Sequence, residues 1–383
     1  MKYSPLVLLA LLVSCTKNID APLVKAKPAT NQKPETCTFG IEVFNKIKRG
    51  TFSGDYSLKK KPKDNELIAP PNATILLDFD GQVISNTMWN TKGDINAGPA
   101  NLTDSEIDRV IKRVSEDFSP FNVTVTTDED IYQATNPYKR MRVVITESWE
   151  WFGVVGGTSY NNSFTWGNNT PCFVFSTLLN YNEKYIAEAI SHETGHTLGL
   201  LHQALYDGNC NFLSEYNEGS GEGPTGWAPI MGIGYYENIT TWHKGPTVLG
   251  CNVIQDDVSI ISATLGLLPD ENIAMNKLKK IDIPAEGIIN NSDDVDYYLI
   301  DLKQPATIIA SPDCLPNGEG GNLCLKMSVY DKQGVLIKTI KDTASLSAST
   351  MLTNDKYYIS VETEANQNQS RYGMLGKYTL RVE

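Results

Sequence analysis

The spacing of apolar and polar residues predicts alternating strands and helices in the first two thirds of the chain. Two segments repeat apolar residues every three or four positions and are predicted to be amphipathic helices: Asp104–Asp117, with Thr103 as N-cap, and about Asn182 to Leu200. Short apolar runs bounded by turn residues predict strands at Thr74–Phe79, Phe121–Thr126, Arg142–Thr146 and Cys172–Phe175. This order predicts an α/β layer with a mostly parallel sheet.

The pattern changes towards the C-terminus. After Leu265 the helical signal fades into Leu267-Leu268-Pro269-Asp270, a candidate domain boundary. Short alternating strands separated by turns follow, at Asp296–Leu302, Cys324–Tyr330, Val335–Ile340, Tyr357–Val361 and Tyr378–Val382. We therefore predict a mixed α/β (α+β) domain over residues 72–270 and a small all-β sandwich over residues 281–383.

Residues 1–15 have the composition of an export signal. Lys2 precedes the apolar run Pro5–Val13, which is too short to span a bilayer. The run ends in Leu12-Val13-Ser14-Cys15, which resembles a bacterial lipobox and implies that Cys15 is acylated and anchors the chain in a membrane. An ordinary signal peptide with a coincidental cysteine is the alternative. We expect a chain at the cell envelope (outer membrane or cell surface) or a secreted one, with residues 16–71 as a polar tether or propeptide.

Charge and cysteine content limit which partners the chain can bind and in which cellular compartment it is expected. With 33 basic and 45 acidic residues the formal net charge is −12, which argues against a nucleic-acid partner. Six of the seven cysteines remain once Cys15 is set aside, and an even number in an exported chain suggests disulfides. Proximity favours Cys314–Cys324 and Cys210–Cys251, while other connectivities stay open.

Three of the four histidines lie in one short segment, His192-Glu193-Thr194-Gly195-His196-Thr197-Leu198-Gly199-Leu200-Leu201-His202. On a helix, His192 and His196 project from the same face and can hold one Zn²⁺ ion. Glu193 is then in reach of a metal-bound water. Gly199 lets the helix end, so that His202 can return as the third ligand. Three protein ligands leave a fourth position for water, which is typical of a catalytic zinc site.

This segment resembles the signature of the metzincin clan of zinc endopeptidases, His-Glu-x-x-His-x-x-Gly-x-x-His followed by a methionine turn. Ala228-Pro229-Ile230-Met231-Gly232 matches that turn and makes Met231 the expected base of the zinc pocket. The resemblance covers roughly Thr74–Leu268. It implies a substrate cleft with an upper sheet, the active-site helix beneath it, the three histidines as zinc ligands and Glu193 as general base.

The chain departs from the familiar metzincin branches at two positions. The residue after the third ligand, which separates the families, is Gln203, and the position two after the methionine, often a catalytic tyrosine, is Ile233. Tyr235 or Tyr236 is a candidate transition-state stabiliser instead, with packing in the cleft wall as the alternative. His243 is a further candidate, although a lone histidine is more often a packing or surface residue.

The same resemblance implies that a protein or peptide substrate binds as an extended strand along a sheet edge. The segment from Gly156 to Phe173 is our candidate edge, with a surface loop as the alternative. Cys37 lies in the polar region, but its surroundings do not match the cysteine switch of matrixins. A disulfide, for instance to Cys172, is favoured over zinc capping.

The C-terminal region resembles the pre-peptidase C-terminal domains of secreted bacterial peptidases. The resemblance rests on Asp293-Asp294-Val295-Asp296-Tyr297-Tyr298, Tyr357-Tyr358-Ile359-Ser360-Val361 and Tyr378-Thr379-Leu380. It implies a β-sandwich that assists secretion, substrate binding or surface binding. The aspartates are candidate Ca²⁺ ligands, or simply a solvated turn.

These observations predict a zinc-dependent metalloendopeptidase that hydrolyses extracytoplasmic proteins, with Glu193 as general base for a metal-activated water. The alternative is a non-catalytic binding or adhesion lipoprotein on a metzincin scaffold. Glu193 argues against it, because a scaffold without turnover has no need of the base. A zinc hydrolase acting on a non-peptide amide stays open.

Overall fold

The computed structural model describes residues 12–15, 71–270, 275–278, 283–315, 318–341 and 345–383. Cys37 and all of the predicted tether except its last residue lie outside these ranges. Within the part of the chain that is described, no helix is both long and apolar enough to cross a membrane.

The first part of the chain builds a mixed six-stranded sheet. The six strands are β1 (Leu12–Cys15), β2 (Thr74–Asp78), β5 (Thr124–Thr126), β6 (Arg140–Thr146), β7 (Gly157–Tyr160) and β8 (Cys172–Phe175). Strands β3 (Gln82–Ile84) and β4 (Ile95–Ala97) form a separate small hairpin. The strand order of the sheet is β1-β7-β8-β6-β2-β5. Strands β5, β2, β6 and β8 are parallel, whereas β7 runs antiparallel to β8. The predicted, mostly parallel sheet is confirmed, with a reversed strand near one edge.

The described residues contain four α-helices: α1 (Asp104–Asp117), α2 (Glu129–Ala134), α3 (Glu183–Thr197) and α4 (Asp257–Leu265). Helix α1 begins at the predicted N-cap, because Thr103 and Glu106 form a reciprocal capping box. Helix α3 begins at Asn182, whose side chain accepts backbone N–H groups of the first turn. Residues 186–197 of α3 are all buried, since the helix packs between α1 and strands β7 and β8.

Between α3 and α4 the chain forms three two-stranded ribbons instead of a sheet. Their strands are β9 (Leu205–Tyr206), β10 (Phe212–Ser214), β11 (Trp227–Pro229), β12 (Ile239–Thr241), β13 (Lys244–Thr247) and β14 (Gly250–Asp256). The predicted Cys210–Cys251 disulfide is present, with the two Cα atoms 5.6 Å apart. It ties the β9–β10 hairpin to β14 and so braces the loop that follows the third histidine.

The C-terminal region is a β-sandwich, as the alternating pattern predicts. Its strands are β15 (Ala285–Ile289), β16 (Val295–Asp301), β17 (Ala306–Pro312), β18 (Leu325–Tyr330), β19 (Leu336–Lys341), β20 (Ala348–Leu352), β21 (Lys356–Thr363) and β22 (Gly376–Val382). Two antiparallel sheets, β15-β22-β17-β20 and β16-β21-β18-β19, enclose one apolar core. Leu325, Met327 and Val329 show the two-residue period, since all three point into that core.

Two disulfides considered from the sequence are wrong. Neither Cys314 nor Cys324 forms a disulfide, and neither does Cys172, which is fully buried in β8. The Cys324 Sγ lies 3.9 Å from the Ser345 carbonyl oxygen, whereas Cys314 lies in the loop after β17. Proximity along the chain suggested the Cys314–Cys324 pair, but it does not make two Cβ atoms face each other at bonding distance.

The sandwich packs against α1 through buried polar contacts. Glu116 accepts a hydrogen bond from the Lys377 backbone N–H at 3.1 Å, and Asn322 Nδ2 donates to Asp117 Oδ1 at 2.8 Å. Asp117 Oδ2 in turn accepts from Ser191 Oγ at 2.6 Å, and burial raises the pKa of Asp117 to about 7. One carboxyl group therefore links the sandwich to the residue that precedes His192 in α3.

Candidate metal centre

His192, His196 and His202 converge at the C-terminal end of α3. Their ligand nitrogens all lie within 4.8 Å of one another, and the side chains are 7%, 0% and 2% exposed. The first two share a helix face, as their spacing of four predicts. Gly199, just after the helix, has φ +104°, a conformation that glycine adopts without strain. This turn returns the chain so that His202 faces the first two histidines.

Each of these histidines is oriented by a hydrogen bond at its Nδ1 atom. The acceptors, each at 2.8 Å, are the Ile230 carbonyl for His192, the Leu200 carbonyl for His196 and a Glu215 carboxylate oxygen for His202. When Nδ1 donates its proton, the Nε2 lone pair is left to bind a metal. The three rings thus carry the partners that hold metal-binding histidines in a single orientation.

The donor set fits Zn²⁺. His192 Nε2 is buried and has no hydrogen-bond partner among the described residues, an arrangement that a bound cation would satisfy. Burial, aided by the neighbouring His202, lowers the pKa of His192 to about 3, and burial pushes that of His196 well below its usual value. The neutral imidazole is the form that binds metal. Three histidine nitrogen donors, with a fourth position left for water, match a catalytic zinc site.

Glu193 lies beside the histidines and is only 1% exposed. Its Oε2 accepts a hydrogen bond from Ser159 Oγ at 2.6 Å, which couples the carboxylate to β7. A Cβ atom on Gly157 would lie 2.7 Å from Glu193 Cγ and 2.9 Å from the Phe173 carbonyl oxygen. Gly157 therefore has to lack a side chain for Glu193 to occupy this position. Motif matching missed Gly157 and Ser159, although both fall in the predicted edge segment.

The predicted edge segment holds strand β7. On its outer side, β7 pairs antiparallel with β1 in a register that places Leu12 opposite Tyr160 and Cys15 opposite Gly157. β1 lies within the predicted export signal. Strand β7 thus accepts an extended antiparallel segment directly beside Glu193.

Met231, which the resemblance makes the expected base of the zinc pocket, is fully buried. A Cβ on Gly195, between the two helical histidines, would lie 2.5 Å from Met231 Sδ. The same segment holds the residue after His202, because the Met231 carbonyl oxygen accepts the Gln203 backbone N–H at 2.8 Å. Its side chain and its backbone thus support different parts of the site.

Gln203, the first departure from the familiar metzincin pattern, connects two segments through hydrogen bonds of its side chain. Its Nε2 donates to the His243 carbonyl oxygen and to Asp257 Oδ1, each at 3.0 Å. These bonds connect Gln203 to the residue just before β13 and to the first residue of α4. Ile233, the second departure, is buried and lines the cavity next to His192.

The three candidate stabilisers lie in different places. Tyr235 lines the cavity and packs on Tyr185 with ring centroids 4.9 Å apart, whereas Tyr236 is 61% exposed. His243 packs against Trp227 at 4.9 Å, and burial lowers its pKa to about 4. His243 is not among the residues that line the cavity.

The structure adds two residues that the sequence did not single out. Tyr216 lines the cavity, with its ring centroid 4.5 Å from that of His202 and 6.3 Å from that of His192. Glu215 is the hydrogen-bond partner of His202. Both lie in the segment between the third histidine and the methionine turn, which has no motif or periodicity that could have marked them.

A second group of possible metal ligands lies where the sandwich begins. Carboxylate oxygens of Asp270, Asp294 and Asp296 lie within 4.8 Å of one another. The sequence suggested the run that includes Asp293, but the structure brings Asp270 to the group in its place. Asp294 is 2% exposed, and its buried Oδ1 has no hydrogen-bond partner among the described residues.

Solved structures that resemble part of the chain include two small domains. No protein-family model and no curated protein matches the chain. The pre-peptidase C-terminal domain of a collagenase from Bacillus anthracis is 14% identical with a TM-score of 0.20, and the match covers 30% of this chain and 98% of that one. PliG, a periplasmic lysozyme inhibitor of g-type lysozyme from Aeromonas hydrophila, is 13% identical with a TM-score of 0.18, covering 26% and 83%. Both matches cover less than a third of the chain, and neither assigns it an activity.

Proposed function

We propose that this chain is a zinc-dependent endopeptidase of metzincin type that cleaves extracytoplasmic proteins. One observation carries the proposal: three buried histidines with oriented rings converge beside a buried glutamate. His192, His196 and His202 would hold the ion, which when bound supplies Lewis acidity to the scissile carbonyl group and makes water more acidic. A metal site that catalyses no reaction would not need Glu193 as a general base.

Glu193 is the proposed general base. Its carboxylate takes a proton from the attacking water and passes it to the leaving nitrogen of the peptide. Ser159 orients the carboxylate by donating a hydrogen bond to Oε2. Tyr216 lines the cavity beside His192 and His202, where the oxyanion of the tetrahedral intermediate would form.

The substrate would bind along β7. A strand edge offers unpaired N–H and C=O groups that an extended peptide can pair with. The pairing of β1 with β7 supports this proposal, because it is itself the addition of an antiparallel segment to that edge. Removal of residues 1–14 with the export signal, with Cys15 kept as the acylated residue, would free the edge for a substrate.

A broad cleavage assay tests the proposed activity. We expect the zinc-loaded full chain to cleave members of a diverse peptide library, to stop when a chelator removes zinc, and to recover when zinc is added back. Cleavage that persists with chelator would overturn the zinc mechanism. Binding of peptides without cleavage would favour the alternative, a metzincin-fold adhesion lipoprotein.

We also propose that Cys15 carries a lipid anchor. The Cys210–Cys251 disulfide supports export, because such bonds persist mainly outside the cytoplasm. Expressed in bacteria fed labelled palmitate, the chain is expected to take up label and to fractionate with membranes. A Cys15→Ser variant should do neither. Export of an unlabelled, soluble wild-type chain would indicate an ordinary signal peptide.

The aspartate group at the start of the sandwich is our proposed Ca²⁺ site. Three carboxylates at this spacing repel one another, and hard oxygen ligands favour Ca²⁺. Burial, aided by the charge of Asp270, raises the pKa of Asp294. Asp294 Oδ2 accepts the Asn290 backbone N–H at 2.9 Å, which leaves Oδ1 for the ion.

Thermal unfolding tests this second site. We expect Ca²⁺ to raise the Tm of the wild-type chain and Asp294→Asn to abolish the increase, because a ligand that binds only the folded state stabilises it. Asp293→Asn is the matched control, one residue away and outside the group, and should keep the response. Equal Tm values for the wild-type chain with Ca²⁺ and with EGTA would rule the site out.

A further inference from the structure

A cavity extends from the candidate metal centre along α3. It lies between that helix and the segment 230–235, which includes the end of the methionine turn, and His192 and Glu193 are among the residues that line it. Gly156, Gly157, Gly232 and Gly234 are among the lining residues, so backbone rather than side chains forms much of the wall. The position beside the catalytic glutamate is where the side chain next to a cleaved bond would enter.

Glu188 lies in this cavity one helical turn before His192, on the same face of α3. It is 7% exposed. Oε1 accepts from Thr240 Oγ1 and from Lys184 Nζ, each at 3.0 Å. Oε2 is buried and has no hydrogen-bond partner among the described residues. The two carboxylate oxygens thus differ, because Oε1 accepts two hydrogen bonds within the chain and Oε2 has no donor among the described residues.

The space at Oε2 is kept open by Gly234. A Cβ atom at that position would lie 2.8 Å from Glu188 Oε2. The neighbouring ammonium group does not fill the space, since Lys184 Nζ already donates to the Gly234 carbonyl oxygen at 2.6 Å and to Oε1. The positive charge of Lys184 also acts on Glu237, so one cation faces two carboxylates.

We propose that this cavity binds the residue that follows the cleaved bond, and that Glu188 selects lysine or arginine there. The proposal rests on the peptidase function proposed above. A cationic side chain entering from the metal end would place its N–H donors against Oε2. A buried carboxylate oxygen without a donor is costly, and a charged donor is its strongest partner. A neutral side chain leaves Oε2 unsatisfied, and an acidic one is repelled.

The specificity of cleavage tests this proposal directly. We compare kcat/KM for one peptide series that differs only in the residue after the cleaved bond: lysine, arginine, norleucine and glutamate. The wild-type chain is expected to prefer lysine or arginine over norleucine by about 100-fold or more, because a site built for a hydrogen-bonding group discriminates strongly against its absence. Norleucine is a suitable reference because it keeps the apolar stem of lysine.

Two variants assign the preference to Glu188. Glu188→Gln keeps the size of the side chain and should reduce the preference for lysine over norleucine to less than about tenfold. Glu183→Gln is the matched control, because it changes the same charge on the same helix, at a residue that pairs with Arg109 instead. If the Glu188 variant fails to fold, the wild-type series alone decides.

Binding gives a readout that does not depend on turnover. Short peptides that begin with lysine, arginine, norleucine or glutamate are titrated calorimetrically into the zinc-loaded full chain. We expect at least about tenfold tighter binding of the first two. Binding with this preference but without any cleavage would reject the peptidase function and retain the pocket. Cleavage with no preference for basic residues would reject the pocket and retain the peptidase.

Discussion

Glu193→Gln is expected to lower kcat for peptide hydrolysis by about 10³-fold, within the range that general acid–base groups contribute. The amide cannot take a proton from water, yet it has nearly the same size and can still accept the hydrogen bond from Ser159. Zinc binding should be unchanged, because His192, His196 and His202 supply the nitrogens. The measurements are initial rates on the best library peptide and zinc content per chain.

Glu183→Gln serves as the control for this loss. It lies on the same helix and pairs with Arg109 at the surface, away from the cavity. Its rate should match that of the wild-type chain. A Glu193 variant that keeps more than about one tenth of the wild-type kcat, with zinc bound, would mean that another group is the base.

The second large effect concerns the metal. His196→Ala should weaken zinc binding by more than about 100-fold, since loss of a mere partner of a ligand already costs about 10–100-fold. Glu215→Gln should weaken it by about tenfold, because the His202 Nδ1–H then donates to a neutral amide oxygen in place of a carboxylate. Competition with a chromophoric chelator measures both affinities.

Each of these variants has a control of the same residue type. His243→Ala removes the fourth histidine, which lies against Trp227 and outside the cluster, and should leave zinc affinity unchanged. Glu218→Gln removes an exposed carboxylate three residues from Glu215 and should do the same. Equal zinc affinity in the wild-type chain and His196→Ala would show that the metal, if bound, is held elsewhere.

The sequence pattern predicted a helix or strand correctly where residues close in sequence determine it. Helix α1 has the predicted bounds and cap, because the capping box and the spacing of apolar residues act within one helix. The strand predicted at Phe121–Thr126 is shorter, and only Thr124–Thr126 joins the sheet. Phe121 instead forms an isolated bridge with Leu267, a distant residue that no local pattern reveals.

Disulfide pairing and the aspartate group also depend on contacts between distant residues, which the sequence pattern does not reveal. Cys210–Cys251 was suggested by proximity and is present, whereas Cys314–Cys324 was suggested on the same ground and is absent. Proximity in sequence limits the loop between two cysteines but not the direction of their side chains. Likewise, Asp270 reaches Asp294 only because the chain before the sandwich folds back onto it.

The sequence by itself determined the helical part of the site. The period of 3.6 residues puts His192 and His196 on one face and Glu193 beside them, and glycine at position 199 permits the turn to His202. Only the tertiary structure decided what surrounds these residues. Glu215, Ser159 and the cavity wall at Gly234 come from segments that have no motif of their own. Glu215 reaches His202, Ser159 reaches Glu193 and Gly234 adjoins Glu188 through the packing of distant segments, so their roles follow from the fold and not from local spacing.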